Sequence, residues 1–111
     1  MKRYNLGNYL DLIILIELSR QDSYAYLIIK KLRETMAKEY VVKDASVYNL
    51  LKRFEKNNLL EGRSKEVKNN RTRYVYSITN DGLLYLKELK KEWEITKRVI
   101  DNTIREGAIN A

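Results

Sequence analysis

The sequence predicts a mainly α fold: three short helices, a small basic β-hairpin, and one long helix at the C-terminal end. Three observations lead there. Apolar residues recur at helical spacing in three successive segments between positions 8 and 57. The period then changes to two, with a polar, Asn-rich turn between the alternating runs. Pro is absent from the 111 residues and Gly occurs only four times, so helices are free to run long.

The first helix is expected over Asn8 to Arg20, where Leu10, Ile13, Ile14 and Leu18 make a core-facing stripe. The stretch Gln21 to Ser23 breaks it and offers an N-cap to a second helix, from Tyr24 to about Lys38. Ala25, Ile28, Ile29, Leu32 and Met36 form the apolar face of that helix, and Tyr40 to Val42 is a short connector. The third helix is expected over Asp44 to Asn57, with Val47, Leu50, Leu51 and Phe54 inward and Ser46, Asn49, Lys52, Arg53 and Lys56 outward. Asp44 is its expected N-cap. Asn58 is its expected left-handed C-terminal residue, because Asn tolerates positive φ best after Gly.

Leu59 to Val67 and Arg73 to Ile78 read as two strands around a turn at Lys68 to Thr72. In the second strand Tyr74, Tyr76 and Ile78 alternate with Arg73, Val75 and Ser77. Thr79 then caps the last helix, which reaches about Arg105 and is on the order of 40 Å long. Its stripe of Leu86, Leu89, Trp93, Thr96, Ile100 and Thr103, widened by Leu83 and Ile104, outruns so small a domain. It calls for a partner helix, most simply its own copy.

Three helices followed by a basic hairpin make a winged helix-turn-helix, whose third helix enters the DNA major groove while the hairpin follows the adjacent backbone. Residues 1–78 are expected to form this DNA-binding part and residues 79–111 a dimerisation helix, the two making one compact unit. Charge agrees. From Lys43 to Tyr76 there are nine basic and four acidic residues, a net +5 out of the chain's +7. Such clustering points to a polyanion more strongly than net charge does.

The absences narrow function from the other side. With no Cys and no His, the sequence has no thiol nucleophile, no imidazole base and none of the usual zinc or iron–sulfur ligands. The four Gly, at 7, 62, 82 and 107, are scattered and cradle no phosphate. The expectation is therefore a protein that is not an enzyme and uses no cofactor or metal. The longest apolar run, Leu12 to Ile16, falls far short of the ~20 residues a membrane span needs. The charged start, Met1 to Arg3, lacks the rest of a signal peptide. A cytoplasmic protein with no membrane partner is expected.

The run from Asp44 to Leu60 resembles the PadR signature Gly-Thr-Leu-Tyr-Pro-x-Leu-x-Arg-Leu-Glu-x-x-Gly-Leu-Ile. Tyr24 to Leu32 resembles the family's Tyr-Gly-Tyr-x-Ile segment, Arg73 to Gly82 its Arg-x-Tyr-Tyr-x-Ile-Thr-x-x-Gly segment, and Leu10 to Leu18 its opening helix. The resemblance spans about residues 6 to 105, and the chain length is similar to that of the short subfamily. It implies a homodimeric transcriptional regulator, usually a repressor, on a pseudo-palindromic operator. In some short relatives, flat aromatic compounds bind at the dimer interface and relieve repression. Ala25, Ala45 and Asn58 stand where the family has Gly, and Asn49 where it has Pro.

The candidate DNA contacts are Ser46, Tyr48, Asn49, Lys52, Arg53, Lys68, Arg71 and Arg73. Tyr48 matches the family's Tyr, which the resemblance assigns to a phosphate oxygen; its other reading is half-buried packing. Ser46 contacts phosphate or caps the helix. Asn49 bonds adenine N6 and N7 together or is merely solvated. Lys52 faces the backbone. Arg53 touches DNA or pairs with a carboxylate such as Glu55 or Glu17. Lys68 and Arg71 sit at the wing tip, and Arg73 begins a strand.

Trp93, Leu86, Leu89 and Ile100 are the candidate effector and dimer surface. The indole of Trp93 either stacks on an aromatic effector or packs in the dimer, and Asp101 could hold a cationic ligand. The expected partners are double-stranded DNA, a second copy and a small aromatic effector. The rival readings are a ligand- or protein-binding winged helix without specific DNA binding, and a nonspecific architectural DNA binder.

Overall fold

The computed structural model describes residues 4–36 and 38–110. Met1 to Arg3 and Ala111, which the expected bounds include, and Ala37, inside the expected second helix, lie outside the described residues. The elements are α1 (Tyr9–Arg20), β1 (Ser23–Tyr24), α2 (Ala25–Thr35), α3 (Asp44–Lys56), β2 (Leu60–Val67), a 3-10 turn (Lys68–Asn70), β3 (Arg71–Ile78) and α4 (Asn80–Asn110). This is the expected order of helices and hairpin, with a winged helix-turn-helix followed by a long helix.

α1 is the central rod. Leu12, Ile14, Leu15 and Leu18 are buried, and Leu10, Ile13 and Ile16 pack against the same core. A narrower stripe was expected; burial spreads round the helix because α4 and β3 both lie against it. α2 adds Ala25, Ile28, Ile29 and Leu32 to the core, and α3 adds Val47, Leu50, Leu51 and Phe54. α2 is shorter than expected. It ends at Thr35, and Met36 is already extended at φ −83°, ψ 150°.

The sheet differs from the expected two-stranded hairpin by one strand. Ser23 and Tyr24 pair with Tyr76 and Val75, so β3 is the middle strand of a β1-β3-β2 antiparallel sheet. Two residues leave no period to read in a sequence. The pairing also explains why Ser23 caps nothing. The N-cap of α2 is Tyr24, with no side-chain bond, and Ser23 is 4% exposed inside the sheet. Val75 and Tyr76 are both buried although they point to opposite faces of the sheet, whereas Tyr74 stays exposed, against the simple alternation. β2 and β3 pair from Leu60 with Ile78 to Val67 with Arg71. The loop is therefore Lys68–Asn70, with Asn69 and Asn70 at φ 63° and 57°, the left-handed region that Asn tolerates.

α3, β2 and α4 meet at one junction. Asn58 ends α3 at φ 61°. Thr79 N–H donates to Leu59 O at 3.0 Å, and the Thr79 hydroxyl donates to Asn58 O at 2.7 Å. The same hydroxyl accepts the Gly82 N–H at 2.9 Å, which caps α4 as expected. Gly82 comes so close to the chain that a Cβ would lie 2.2 Å from Leu59 O. From this junction α4 runs 31 residues, and its far end leaves the core. The radius of gyration is 16.7 Å, against about 13 Å for a compact chain of this length. Among the described residues no helix is long and apolar enough to cross a membrane.

Thr79→Ala removes both hydroxyl bonds, and urea unfolding should show a loss of about 1–2 kcal/mol with an unchanged slope. Gly82→Ala should lose at least as much despite the better helix propensity of Ala. Gly107→Ala, which meets nothing within 4 Å, should gain up to about 1 kcal/mol.

Candidate nucleic-acid interface

Residues along α3 turn by about 100° each. Burial of Val47, Leu50, Leu51 and Phe54 therefore directs Ala45, Asn49, Lys52 and Lys56 straight outward, and all four are exposed. The two flanks of the helix are held by neighbouring elements. Towards α1, the Arg53 guanidinium donates to Asp11 Oδ2 at 2.9 Å. Towards α2, Arg33 donates to Asp44 Oδ1 at 2.5 Å and to Val42 O at 2.9 Å. Towards the sheet, the Tyr74 hydroxyl donates to Glu55 Oε2 at 2.5 Å.

Two expectations change here. Asp44 does not cap α3; Lys43 is the N-cap residue and makes no side-chain bond, because the Asp44 carboxylate is turned to Arg33. Arg53 pairs with neither Glu55 nor Glu17. Glu55 lies two positions on, nearly opposite around the helix, and accepts from Tyr74; Glu17 accepts from Arg20 at 3.3 Å. Asp11, one and a half turns earlier on α1, is the carboxylate in reach.

The eight candidate DNA residues thus separate by position. Asn49 and Lys52 are on the outward face of α3. Ser46 and Arg53 lie on its α1 flank and, with Asn49, line a groove of about 390 Å³ against Asn5, Asn8 and Asp11. Tyr48, 46% exposed, is on the opposite flank beside Tyr26 and Arg33. Lys68 and Arg71 are exposed at the hairpin tip. Arg73 is half-buried. Its guanidinium lies 5.4 Å from the ring centres of both Tyr24 and Tyr26, and Nε has no hydrogen-bond partner among the described residues. Stacking of this kind holds the side chain two pairs below the hairpin tip, against β1 and the start of α2. Lys56, which the candidate set omits, is exposed on the same face as Lys52, as its helical spacing from Lys52 requires. No residue spacing pointed to Tyr74 or Asp11, since their partners lie 19 and 42 positions away.

The four residues proposed for an effector and dimer surface also separate. Leu86 is 3% exposed and Leu89 packs beside it, so both close the protomer's own core, not an open face. This follows from α1, which already occupies that side of α4. Ile100 is 48% exposed on the outer half, with Ile95, Val99 and Ile104 also open. Trp93 stands at the boundary, edge-on to Tyr9 at 5.2 Å. With Tyr9, Leu12, Ile13, Ile16 and Tyr40 it lines an apolar cavity of about 510 Å³, within the range of small-molecule sites. Asp101 accepts from Lys97 at 3.0 Å, one turn away. Among the described residues no cluster of three or more carboxylates is placed to hold a metal ion.

Comparison with known proteins agrees on one family. The family model described as "Transcriptional regulator PadR-like family" matches residues 14–88. A transcriptional regulator from Clostridium thermocellum is 36% identical, covers 87% of this chain and 94% of its own, and superposes with a TM-score of 0.77. A PadR family transcription regulator from Clostridium difficile is 32% identical over 87% and 99%, with a TM-score of 0.77. A PadR-like transcriptional regulator from Bacillus cereus is 31% identical over 89% and 94%, with a TM-score of 0.80.

The two aspartates with perturbed ionisation give opposite pH signatures. Hydrogen bonds from Arg63 and then Ser77 hold the Asp22 carboxyl below its usual 3.8. Its contribution to stability is present above that value and disappears as pH falls through the depressed folded value. Burial outweighs the pull of Arg53 on Asp11 and raises that carboxyl, so its contribution weakens stability as pH rises above 3.8. Asp22→Asn should therefore lose about 0.2–1 kcal/mol at pH 7, the modest worth of an exposed pair, and the deficit should shrink as pH falls below 3.8. Asp11→Asn should fare better against wild type at pH 7 than near pH 3. Urea midpoints across pH 3–7 check both trends.

Proposed function

The chain belongs to the PadR-like family of transcriptional regulators, and from that premise we propose that it acts as a homodimeric repressor on a pseudo-palindromic operator. PadR-family regulators bind DNA. The observation that carries the finer reading is the outward face of α3, where Asn49, Lys52 and Lys56 stand exposed with no carboxylate among them. The acidic residues of α3, Asp44 and Glu55, are turned to the flanks and engaged by Arg33 and Tyr74.

In this reading α3 enters the major groove. Asn49 bonds an adenine through N6 and N7, and Lys52, Lys56 and Tyr48 meet phosphates. Ser46 and Arg53 stand at the groove edge towards α1. Lys68 and Arg71 at the hairpin tip hold the neighbouring backbone, and Arg73, two pairs below the tip, stiffens the hairpin against Tyr24 and Tyr26. Residues 1–78 serve DNA and the helix from 79 onward serves dimerisation, packed as one unit. The open Ile95, Val99, Ile100 and Ile104 on α4 meet the same surface of a second copy. A flat aromatic effector fits the cavity at Trp93, Tyr9 and Tyr40, and its entry would change the distance between the two recognition helices. The site is cytoplasmic, where the DNA is.

Fluorescence anisotropy with a duplex selected from a random pool, against a scrambled duplex, tests the DNA reading. A preference on the order of 10³ with a steep salt slope supports it. Asn49→Ala should reduce discrimination about 10- to 100-fold at one base pair per half-site. Equal binding to both duplexes would favour an architectural role, and no binding at low salt would overturn the reading.

Sedimentation tests dimerisation. The wild-type chain should run at twice its 13.2 kDa, and Ile100→Asp with Ile104→Asp should shift it to monomer. A double variant that remains dimeric would place the interface elsewhere.

A further inference from the structure

Among the described residues, one side-chain hydrogen bond joins the hairpin to the recognition helix, beside the core packing of Leu60 and Tyr76. Tyr74 lies on β3 opposite Ser64, two pairs away from the Gly62–Tyr76 pair and on the same face of the sheet as Tyr76. Its ring crosses the β2 backbone at Gly62 so closely that a Cβ there would fall 2.4 Å from the ring. Only a residue without a side chain lets the ring lie in this place. From there the hydroxyl reaches Glu55 on α3, and the ring meets Tyr76 edge-on at 5.2 Å. The other restraints on the hairpin act elsewhere. Arg63 donates to Asp22 at 3.0 Å and to Ser77 at 2.7 Å, and Arg73 stacks on Tyr24 and Tyr26. Arg63 thus acts within the hairpin and on the residue before β1, and Arg73 acts on β1 and the start of α2, whereas Tyr74 bonds α3 directly.

We propose that Gly62, Tyr74 and Glu55 form a clasp that sets the angle between the hairpin and the recognition helix, making Tyr74 a positioning residue for DNA binding. The inference rests on the DNA reading above. The two basic side chains at the hairpin tip, Lys68 and Arg71, reach phosphate only when the hairpin and α3 address the duplex together. The tip lies several residues beyond the clasp along each strand, so a small change of angle at Gly62 is magnified at Lys68. The clasp also directs the Glu55 carboxylate to the sheet, away from the outward face that carries Asn49, Lys52 and Lys56. Tyr74 is 45% exposed, so its removal leaves no hole in the core.

The test measures the salt dependence of DNA affinity for the full chain on the pool-selected duplex, in wild type, Tyr74→Phe, Gly62→Ala, and the wing variant Lys68→Ala with Arg71→Ala. Phosphate contacts set the slope of log K against log salt at about 0.9 per contact, so the wing variant should flatten it by about 2. Tyr74→Phe and Gly62→Ala, which break the clasp in independent ways, should each flatten the slope by about 1 or more. Adding Tyr74→Phe to the wing variant should change nothing further, because the contacts it positions are already gone. A residue that served stability alone would shift the melting temperature and leave the slope as it was.

If Tyr74→Phe and Gly62→Ala keep the wild-type slope while the wing variant loses it, the clasp proposal is overturned and the DNA reading stands. A full additive loss when Tyr74→Phe is combined with the wing variant also overturns it, since Tyr74 would then act apart from the tip. A wild-type chain with no salt-dependent binding overturns both.

Discussion

The arrangement depends most on the junction where α3 hands over to β2 and β3 hands over to α4. A single hydroxyl, that of Thr79, bonds the last turn of α3 through Asn58 O and the first turn of α4 through Gly82 N–H. The contact is close because Gly82 has no side chain to hold Leu59 away. Three elements with different duties leave this one point: the helix with the exposed basic face, the hairpin, and the long helix with the open apolar end. Backbone bonds here link the segments, Leu59 N–H to Phe54 O and Thr79 N–H to Leu59 O, so a shift in one must be accommodated by the others. Phe54 against Tyr85, at 6.4 Å between ring centres, continues the same α3–α4 contact inside the core.

Around that fixed point, polar contacts act more on orientation than on stability. The pairs of α3 with Asp11 and Arg33 have partly exposed members and are each worth about 1 kcal/mol or less. The apolar side of the helix is of a different order, with Val47 and Leu51 at 0% exposed and Phe54 at 2%. Truncating such residues typically loses 2–5 kcal/mol each. The core therefore decides that α3 folds against the domain, and the weaker flank pairs decide which way its side chains point. Arg33 and Tyr74 also engage the two acidic groups of α3 at its flanks, so the outward face of Ala45, Asn49, Lys52 and Lys56 carries no carboxylate.

Much of this was legible because it is local and periodic. The apolar spacing of α3, the Asn-rich hairpin turn, the Thr79 cap and the left-handed Asn58 all follow from neighbours within a few positions. What was not legible is what depends on partners distant in sequence. β1 exists only because β3 lies beside it, and with it came the burial of Ser23 and the middle position of β3. Asp11 meets Arg53 across 42 positions, and Asp44 is drawn from capping by an arginine 11 positions earlier. The stripe on α4 was correct in period and incomplete in meaning. A periodic apolar face says that something covers it, and here α1 covers Leu86 and Leu89 while Ile100 remains open.

That division of α4 bears on how an occupant of the Trp93 cavity could be felt at the basic face. Tyr9, Leu12, Ile13 and Ile16 on α1 line the cavity, and Asp11 of the same helix holds Arg53 of α3. The direct route is a displacement of α1, but Ile14 and Leu15 are 0% exposed and Leu18 is 2%. Moving that rod would disturb packing worth several kcal/mol, more than the 1–3 kcal/mol of a typical coupling between sites. Among the described residues, the outer half of α4 has no such buried anchor. Trp93 sits where the anchored half ends, so an occupant there would meet the open half of α4 as well as the packed rod. In a dimer built on that open half, its displacement would appear as a new distance between two unchanged recognition helices, not as a distortion within either one.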